Sequence, residues 1–164
     1  MQKTIRLKGR RSLTASFSRA QTKSTDWIVF VQESGASFSR AKRSEINALL
    51  GSKLASRFHY LVINKPGLNP RGVDTPKFEK SFRRAKRVSD ALETMKKIIP
   101  HQDHIYLIGY SEGAYLAPQI AQRDSRVKAV VMIGGGTRGW LKEEIAMAKK
   151  KRKIGLPKAS SRNS

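Results

Sequence analysis

The segment Gly109-Tyr110-Ser111-Glu112-Gly113 fits the pattern G-x-S-x-G and constrains the fold of this chain more than any other stretch. The apolar run 105–108 before it is typical of a buried strand, and the run 114–117 after it opens a helical pattern. A serine on a sharp turn from strand to helix exposes its hydroxyl at the carboxyl edge of a sheet. The flanking glycines permit that turn, since side chains there would collide with the neighbouring strand and helix. Ser111 is therefore a candidate nucleophile.

Short apolar runs alternate with helical patterns along the rest of the chain. Strands are predicted at 27–31, 60–63, 105–108 and 127–133, after an N-terminal hairpin over 4–18. A helical stripe runs from Ile46 through Leu54. A long helix from Thr75 places these apolar residues on one face: Phe78, Phe82, Ala85, Val88, Leu92, Met95 and Ile99. Its polar face carries Arg83, Arg84, Lys86, Arg87, Lys96 and Lys97.

This order of elements predicts the fold class. Strands that alternate with helices pair in parallel, with helices on both faces of the sheet. We expect an α/β protein with a doubly wound, mostly parallel sheet of about six strands. One domain is predicted over 1–148, followed by a basic, disordered tail over 149–164.

The composition excludes several classes of protein. At 164 residues, 38% of them hydrophobic, the chain is long enough for one domain with its own core. No apolar run approaches the roughly 18 residues that cross a membrane, and no signal peptide is recognisable, so a cytoplasmic protein is predicted. The chain has no cysteine, which excludes disulfides, thiolate metal sites and a cysteine nucleophile. Nothing in the sequence indicates a metal or a cofactor.

The charge of the chain is unusual, with 34 Lys and Arg against 12 Asp and Glu, a net charge of +22. Such a field gives non-specific affinity for polyanions. The basic run 149–153 contains no aromatic residue, and no nucleic-acid-binding motif accompanies it. Two interpretations remain open: a surface that binds polyanions, and a basic exterior that is merely solvated.

Three segments together resemble the α/β-hydrolase family over roughly residues 3–148. The strand 27–31 and the loop Gln32-Glu33-Ser34-Gly35 resemble the family's oxyanion segment, although Gln32-Glu33 departs from its usual glycine-rich pattern. The strand that ends at Asn64-Lys65-Pro66-Gly67 resembles the next strand and its loop. Gly109 to Gly113 matches the nucleophile elbow, the turn that carries the catalytic serine.

The resemblance implies a function and a set of site residues. Ser111 would attack an ester, thioester or amide of a small-molecule or peptide acyl substrate and form an acyl-enzyme, as in esterases. The backbone N–H of Glu112 would be one oxyanion donor, and the backbone N–H of Ser34 the second. Gly109 and Gly113 would be the elbow glycines.

The catalytic partners of Ser111 are the point at which the chain departs from the family. The triad runs Ser, acid, His in chain order, yet no histidine follows Ser111. His59 and His104 begin predicted strands and His101 precedes one, so we expect all three at the edge of the sheet opposite Ser111. Four carboxylates follow strands at the correct edge, but none holds the family's acid position: Glu33, Asp74, Glu143 and Glu144.

The chain is therefore expected to be an incomplete hydrolase of this type, truncated at its C-terminal end. The alternative is a non-catalytic protein, either a degenerate hydrolase or a basic interaction protein that binds polyanions. The strand 127–133 would then close the sheet with an apolar, unpaired edge on which only Lys128 is charged. Such an edge pairs readily with another chain. We expect self-association or a C-terminal partner at the Val127–Ile133 edge, unless a helix over 140–148 covers it.

Overall fold

The structure is a computed structural model that describes residues 2–6, 12–36, 47–48, 50–69, 72–81 and 83–135. The predicted tail over 149–164 and the predicted helix over 140–148, with Glu143 and Glu144, lie outside the described residues.

A six-stranded sheet forms the centre of the described part of the chain, in the order β1-β2-β4-β3-β7-β8. Its strands are β1 (Gln2–Arg6), β2 (Ser12–Ser18), β3 (Asp26–Val31), β4 (His59–Ile63), β7 (His104–Tyr110) and β8 (Val127–Ile133). The first two strands form the predicted hairpin, and β2 pairs antiparallel with β4. The pairings from β4 through β3 and β7 to β8 are all parallel. A short hairpin, β5 (Leu68–Asn69) with β6 (Gly72–Val73), forms a second, two-stranded sheet.

Helices lie on both faces of this sheet, which confirms the predicted doubly wound, mostly parallel α/β architecture. They are α1 (Ser52–Arg57), α2 (Thr75–Ser81), α3 (Arg84–Ile98) and α4 (Gly113–Ala121). On one face, α3 and α4 pack against the sheet through Val88, Met95 and Leu116. On the other face, Ala55 of α1 packs against Ile28. None of the described helices is long and apolar enough to cross a membrane.

The core between the sheet and the helices α3 and α4 contains Trp27, which is fully buried at the start of β3. Its indole Nε1 donates a hydrogen bond of 2.8 Å to the carboxylate of Asp103, which is itself buried. This bond satisfies the one polar group of a large apolar side chain, as buried tryptophans require. It also joins the start of β3 to the turn that precedes β7.

Two helical predictions were wrong in detail. The long helix predicted from Thr75 is two helices, since Arg83 has extended backbone (φ −128°, ψ 131°) and forms the N-cap of α3. Ala85, predicted on the apolar stripe, lies exposed in the first turn of α3. In α1, Leu54 is 45% exposed, and Ala55 is the residue of that helix that is buried.

Candidate active site

The segment from Gly109 to Gly113 forms a sharp turn between β7 and α4, as predicted. Ser111 has φ 52° and is, within the described ranges, the one residue other than glycine with a positive φ. Left-handed backbone costs a non-glycine residue about 1–2 kcal/mol, and such strain gathers at functional sites. The side chain of Ser111 is partly exposed, while Glu112 and Gly113 beside it are buried.

Neither glycine of the turn has room for a side chain. A Cβ on Gly109 would lie 2.8 Å from Cα of Ala114, and it would collide with the carbonyl group of Gly113. A Cβ on Gly113 would overlap the carbonyl of Val31 and lie 2.9 Å from the carbonyl oxygen of Gln32. Real Cβ atoms do not approach other atoms this closely, so the two positions are restricted to glycine. The turn is therefore packed directly against the end of β3.

The backbone amides of the turn differ in what they bind. The N–H of Ser111 donates a hydrogen bond of 2.8 Å to the carbonyl of Ile133, which anchors the turn to the end of β8. The N–H of Glu112, at the start of α4, finds no acceptor among the described residues. An amide at the first turn of a helix also carries part of the positive end of the helix dipole.

The loop after β3 lies beside this turn. Parallel pairing sets Val31 opposite Gly109, so residues 32–36 leave the sheet next to the strand that delivers Ser111. Ser34 and Gly35 are exposed, whereas Gln32 is 1% exposed.

A buried ion pair lies beneath the turn, and no pattern in the sequence predicts it. One guanidinium nitrogen of Arg87 donates to the carboxylate of Glu112, and the other donates to the carbonyl of Gln32 at 2.6 Å. Arg84 donates to the same carboxylate at 3.0 Å from a half-exposed position. Burial lowers the pKa of Arg87, and the carboxylate of Glu112 opposes that effect.

The helical periodicity predicts Arg87 on the polar face of the helix, together with five other cations. The signal that could have located it was Glu112 itself. A carboxylate inside a buried turn needs a cation from the adjacent helix, because an unpaired buried charge costs on the order of several kcal/mol.

Lys65 is a second buried cation and binds the loop after β3. Its ammonium group donates to the carbonyl of Glu33 at 2.8 Å and to the carbonyl of Gly35. Burial lowers the pKa of Lys65 to about 8, with a smaller lowering by Arg87, while Glu33 and Glu112 raise it.

All three histidines of the chain are described, and each lies at the opposite edge of the sheet from Ser111. His59 begins β4, where its ring accepts from the N–H of Ala20 at 3.0 Å. His104 begins β7, and its Nδ1 lies 3.2 Å from a carboxylate oxygen of Asp26. His101 is exposed in the turn before β7. The structure therefore brings none of them to Ser111.

Two of the predicted carboxylates can be located. Asp74 accepts a hydrogen bond from the N–H of Lys77 at 3.2 Å, so it caps the first turn of α2. Glu33 follows Gln32 in the loop after β3 and is partly buried.

A serine-bearing turn at the carboxyl edge of a doubly wound sheet is the arrangement of the α/β-hydrolase fold. Structural comparison confirms that the chain has this fold. It matches α/β hydrolase domain-containing protein 10 from mouse with a TM-score of 0.64 at 14% identity, over 95% of this chain and 58% of that one. It matches proline iminopeptidase from Mycobacterium smegmatis with a TM-score of 0.67 at 12% identity, over 96% and 50%.

A third likeness is to the N-acyl homoserine lactonase AidH in complex with N-butanoyl homoserine, with a TM-score of 0.58 at 10% identity, over 98% and 62% of the two chains. This chain spans between 50% and 62% of the length of these three structures. No protein-family model and no curated protein sequence matches it.

The left-handed backbone of Ser111 predicts an inverted preference between glycine and alanine. Ser111→Gly should be more stable than Ser111→Ala by about 0.5–1 kcal/mol, because the relief of left-handed strain outweighs the chain entropy of glycine. At Ser89, exposed on α3, the order should reverse, and glycine should be less stable than alanine by about 1 kcal/mol. Urea unfolding of the four variants measures both differences. A more stable alanine at position 111 would contradict the left-handed conformation.

The lowered pKa of Lys65 predicts that stability rises with pH. In the unfolded chain Lys65 keeps its proton up to about pH 10.4, whereas the folded protein releases it near pH 8. The unfolded state therefore binds more protons between these values, so the free energy of unfolding should increase from about pH 8 to about pH 10.4.

Lys65→Met should remove that increase, and Lys53→Met, on the exposed surface of α1, should retain it. Urea unfolding at several pH values compares the two variants with the parent chain. Parallel pH profiles for the parent and Lys65→Met would show that Lys65 keeps its proton in the folded protein.

Proposed function

We propose that the chain is a serine hydrolase of the α/β-hydrolase type, with Ser111 as its nucleophile. One observation carries the proposal: Ser111 is held at φ 52° by two glycines that leave no space for a side chain. A turn this constrained exposes the serine hydroxyl at the carboxyl edge of the sheet, where acyl transfer takes place in this fold. The N–H of Glu112, and the N–H of Ser34 across from it, are the proposed oxyanion donors.

The proposed substrate is a small-molecule or peptide acyl compound. Ser111 would attack the carbonyl carbon of an ester, thioester or amide, expel the alcohol, thiol or amine, and leave an acyl-enzyme for water to hydrolyse. The structural neighbours include a lactonase and an iminopeptidase, which supports this range of carbonyl substrates.

The proposed enzyme is incomplete, since all three histidines of the chain lie at the edge of the sheet opposite Ser111. Without a general base, the oxyanion donors and substrate binding alone supply only about 10³–10⁴-fold catalysis over water. The chain should therefore turn over activated esters slowly, through Ser111.

Hydrolysis of p-nitrophenyl acetate tests this proposal. We expect slow release of nitrophenolate that Ser111→Ala abolishes and that Ser125→Ala, at an exposed serine on the opposite edge, leaves intact. Equal rates in the parent and Ser111→Ala would contradict the nucleophile. Fast turnover that depends on Ser111 would show that a base acts on it after all.

The alternative is a non-catalytic interaction protein that binds polyanions. The exposed cations of α3 favour it: Arg84, Lys96 and Lys97 lie on the outer surface of the helix, in a chain of net charge +22. An inert Ser111 in the ester assay, together with binding to duplex DNA that persists at physiological salt, would favour this alternative. Binding driven only by counterion release would weaken steeply as salt rises.

We also propose that the chain pairs with a second copy, or with a separate C-terminal partner, through β8. Among the described residues, β7 is the one strand that pairs with it. Val131, Met132 and Ile133 are 51%, 52% and 44% exposed. Apolar side chains on an unpaired edge favour addition of another strand.

Met132→Lys should reduce this association, because a charge on an edge strand opposes pairing. Leu54→Lys is the matched control, since Leu54 is exposed to a similar extent on α1. Light scattering against concentration measures the mass, and amide exchange over 127–133 measures protection of the edge. A monomer at every concentration, with the strand fully protected, would contradict the proposal.

A further inference from the structure

Two buried cations hold the loop after β3, and they come from different parts of the fold. Arg87 extends from α3, and Lys65 follows β4. Arg87 is 9% exposed and Lys65 is 4% exposed. Long cationic side chains are almost never buried unless they are paired. The partners of these two cations therefore account for their burial.

The cations bind backbone carbonyls of the loop. Arg87 donates to the carbonyl of Gln32 at 2.6 Å, while Lys65 donates to the carbonyls of Glu33, at 2.8 Å, and Gly35. Three carbonyls within four residues are thus directed into the protein, towards positive charge.

The direction of these carbonyls fixes the direction of the loop amides. A peptide unit is planar and trans, so its N–H points opposite to its C=O. The carbonyl of Glu33 shares a peptide unit with the N–H of Ser34, and the carbonyl of Gln32 shares one with the N–H of Glu33. Each bond to a buried cation therefore turns one loop N–H away from the interior.

Arg87 also connects this loop to the turn that carries Ser111. Its guanidinium binds the Glu112 carboxylate and the Gln32 carbonyl at the same time. Both side chains of the ion pair are 8% exposed. A planar guanidinium binds two acceptors in fixed relative directions, which an ammonium group does not. One planar group thus joins the turn to the loop.

We propose that Arg87 and Lys65 are positioning residues, which orient the backbone N–H groups of residues 33–36 relative to Ser111. This inference rests on the proposed function for the role of those N–H groups as oxyanion donors. Neither residue contacts the reacting atoms in this assignment. Arg87 sets the spacing between loop and turn, and Lys65 sets the rotation of the Ser34 peptide.

The test combines a measurement of the loop with a measurement of the reaction. Arg87→Lys keeps the charge but loses the planar double contact, and Arg84→Lys makes the same change one turn earlier, at the exposed partner of the same carboxylate. In Arg87→Lys and in Lys65→Met, the ¹⁵N order parameters of amides 33–36 should fall from about 0.85 to below about 0.6. The order parameters of amides 105–108 in β7 should stay unchanged in these variants. In Arg84→Lys, the order parameters of both segments, 33–36 and 105–108, should stay unchanged.

The rate should report the same displacement. For p-nitrophenyl acetate, we expect the Ser111-dependent kcat to fall about 10–100-fold in Arg87→Lys, with KM changed less than about threefold, because a misplacement of about 1 Å costs up to that factor. If Arg87→Lys proves unstable, Glu112→Gln breaks the same bridge from the other side and should mobilise the same amides.

The outcomes separate the two proposals. Unchanged order parameters over 33–36, or an equal fall across β7, would overturn the positioning role. A mobile loop in a protein without any Ser111-dependent hydrolysis would support the positioning role and overturn the proposed hydrolase. Equal effects of Arg87→Lys and Arg84→Lys would show that only charge near Glu112 matters, which overturns the bridge.

Discussion

The contact between Gly113 and the end of β3 is the constraint on which the rest of this structure depends. A hydrogen atom is all that fits between Cα of Gly113 and the carbonyl of Val31. This closeness allows α4 to begin directly behind β3, and it forces Ser111 into the left-handed region within two residues of the end of β7. The loop after β3 therefore leaves the sheet beside Ser111. One steric relation thus brings Ser111 and the start of the neighbouring loop to the same edge of the sheet.

Electrostatics refine what sterics establish. Arg87 is buried because it pairs with the buried carboxylate of Glu112. Its second guanidinium nitrogen donates to the Gln32 carbonyl. Lys65 arrives independently from β4 and binds two further carbonyls. In a protein with nearly three cations for each acid, most positive charge is surplus. These two cations differ because each is buried and donates to backbone carbonyls of the loop after β3.

Much of the fold could be predicted from the sequence, because its strands are short apolar runs between turns. The run 127–133 became β8 with the same bounds, and the turn at Ser111 followed from two glycines at the right spacing. The break between α2 and α3 could not be predicted, since the apolar stripe continues in register across it. Arg83 has extended backbone and separates the two helices, but the spacing of the apolar residues does not indicate this break.

The candidate site was predictable in part for a similar reason. The pattern G-x-S-x-G is a local motif, so the turn at Ser111 could be predicted from five residues. The bridge from Arg87 to Gln32 joins residues 55 positions apart, and periodicity places Arg87 among solvated cations. Arg84 binds the same carboxylate from a half-exposed position, so Arg87 differs by its own burial and by its bond to Gln32. Burial is a property of the folded chain.

The strain at Ser111 bears on how this sequence would change over generations. The glycines at 109 and 113 are required by packing, so selection for the fold alone would keep them. Position 111 is different, because its left-handed backbone suits glycine better than serine. A lineage selected only for folding would drift towards glycine at this position and lose the hydroxyl. The serine is thus the residue of the motif whose persistence among descendants would record selection for chemistry.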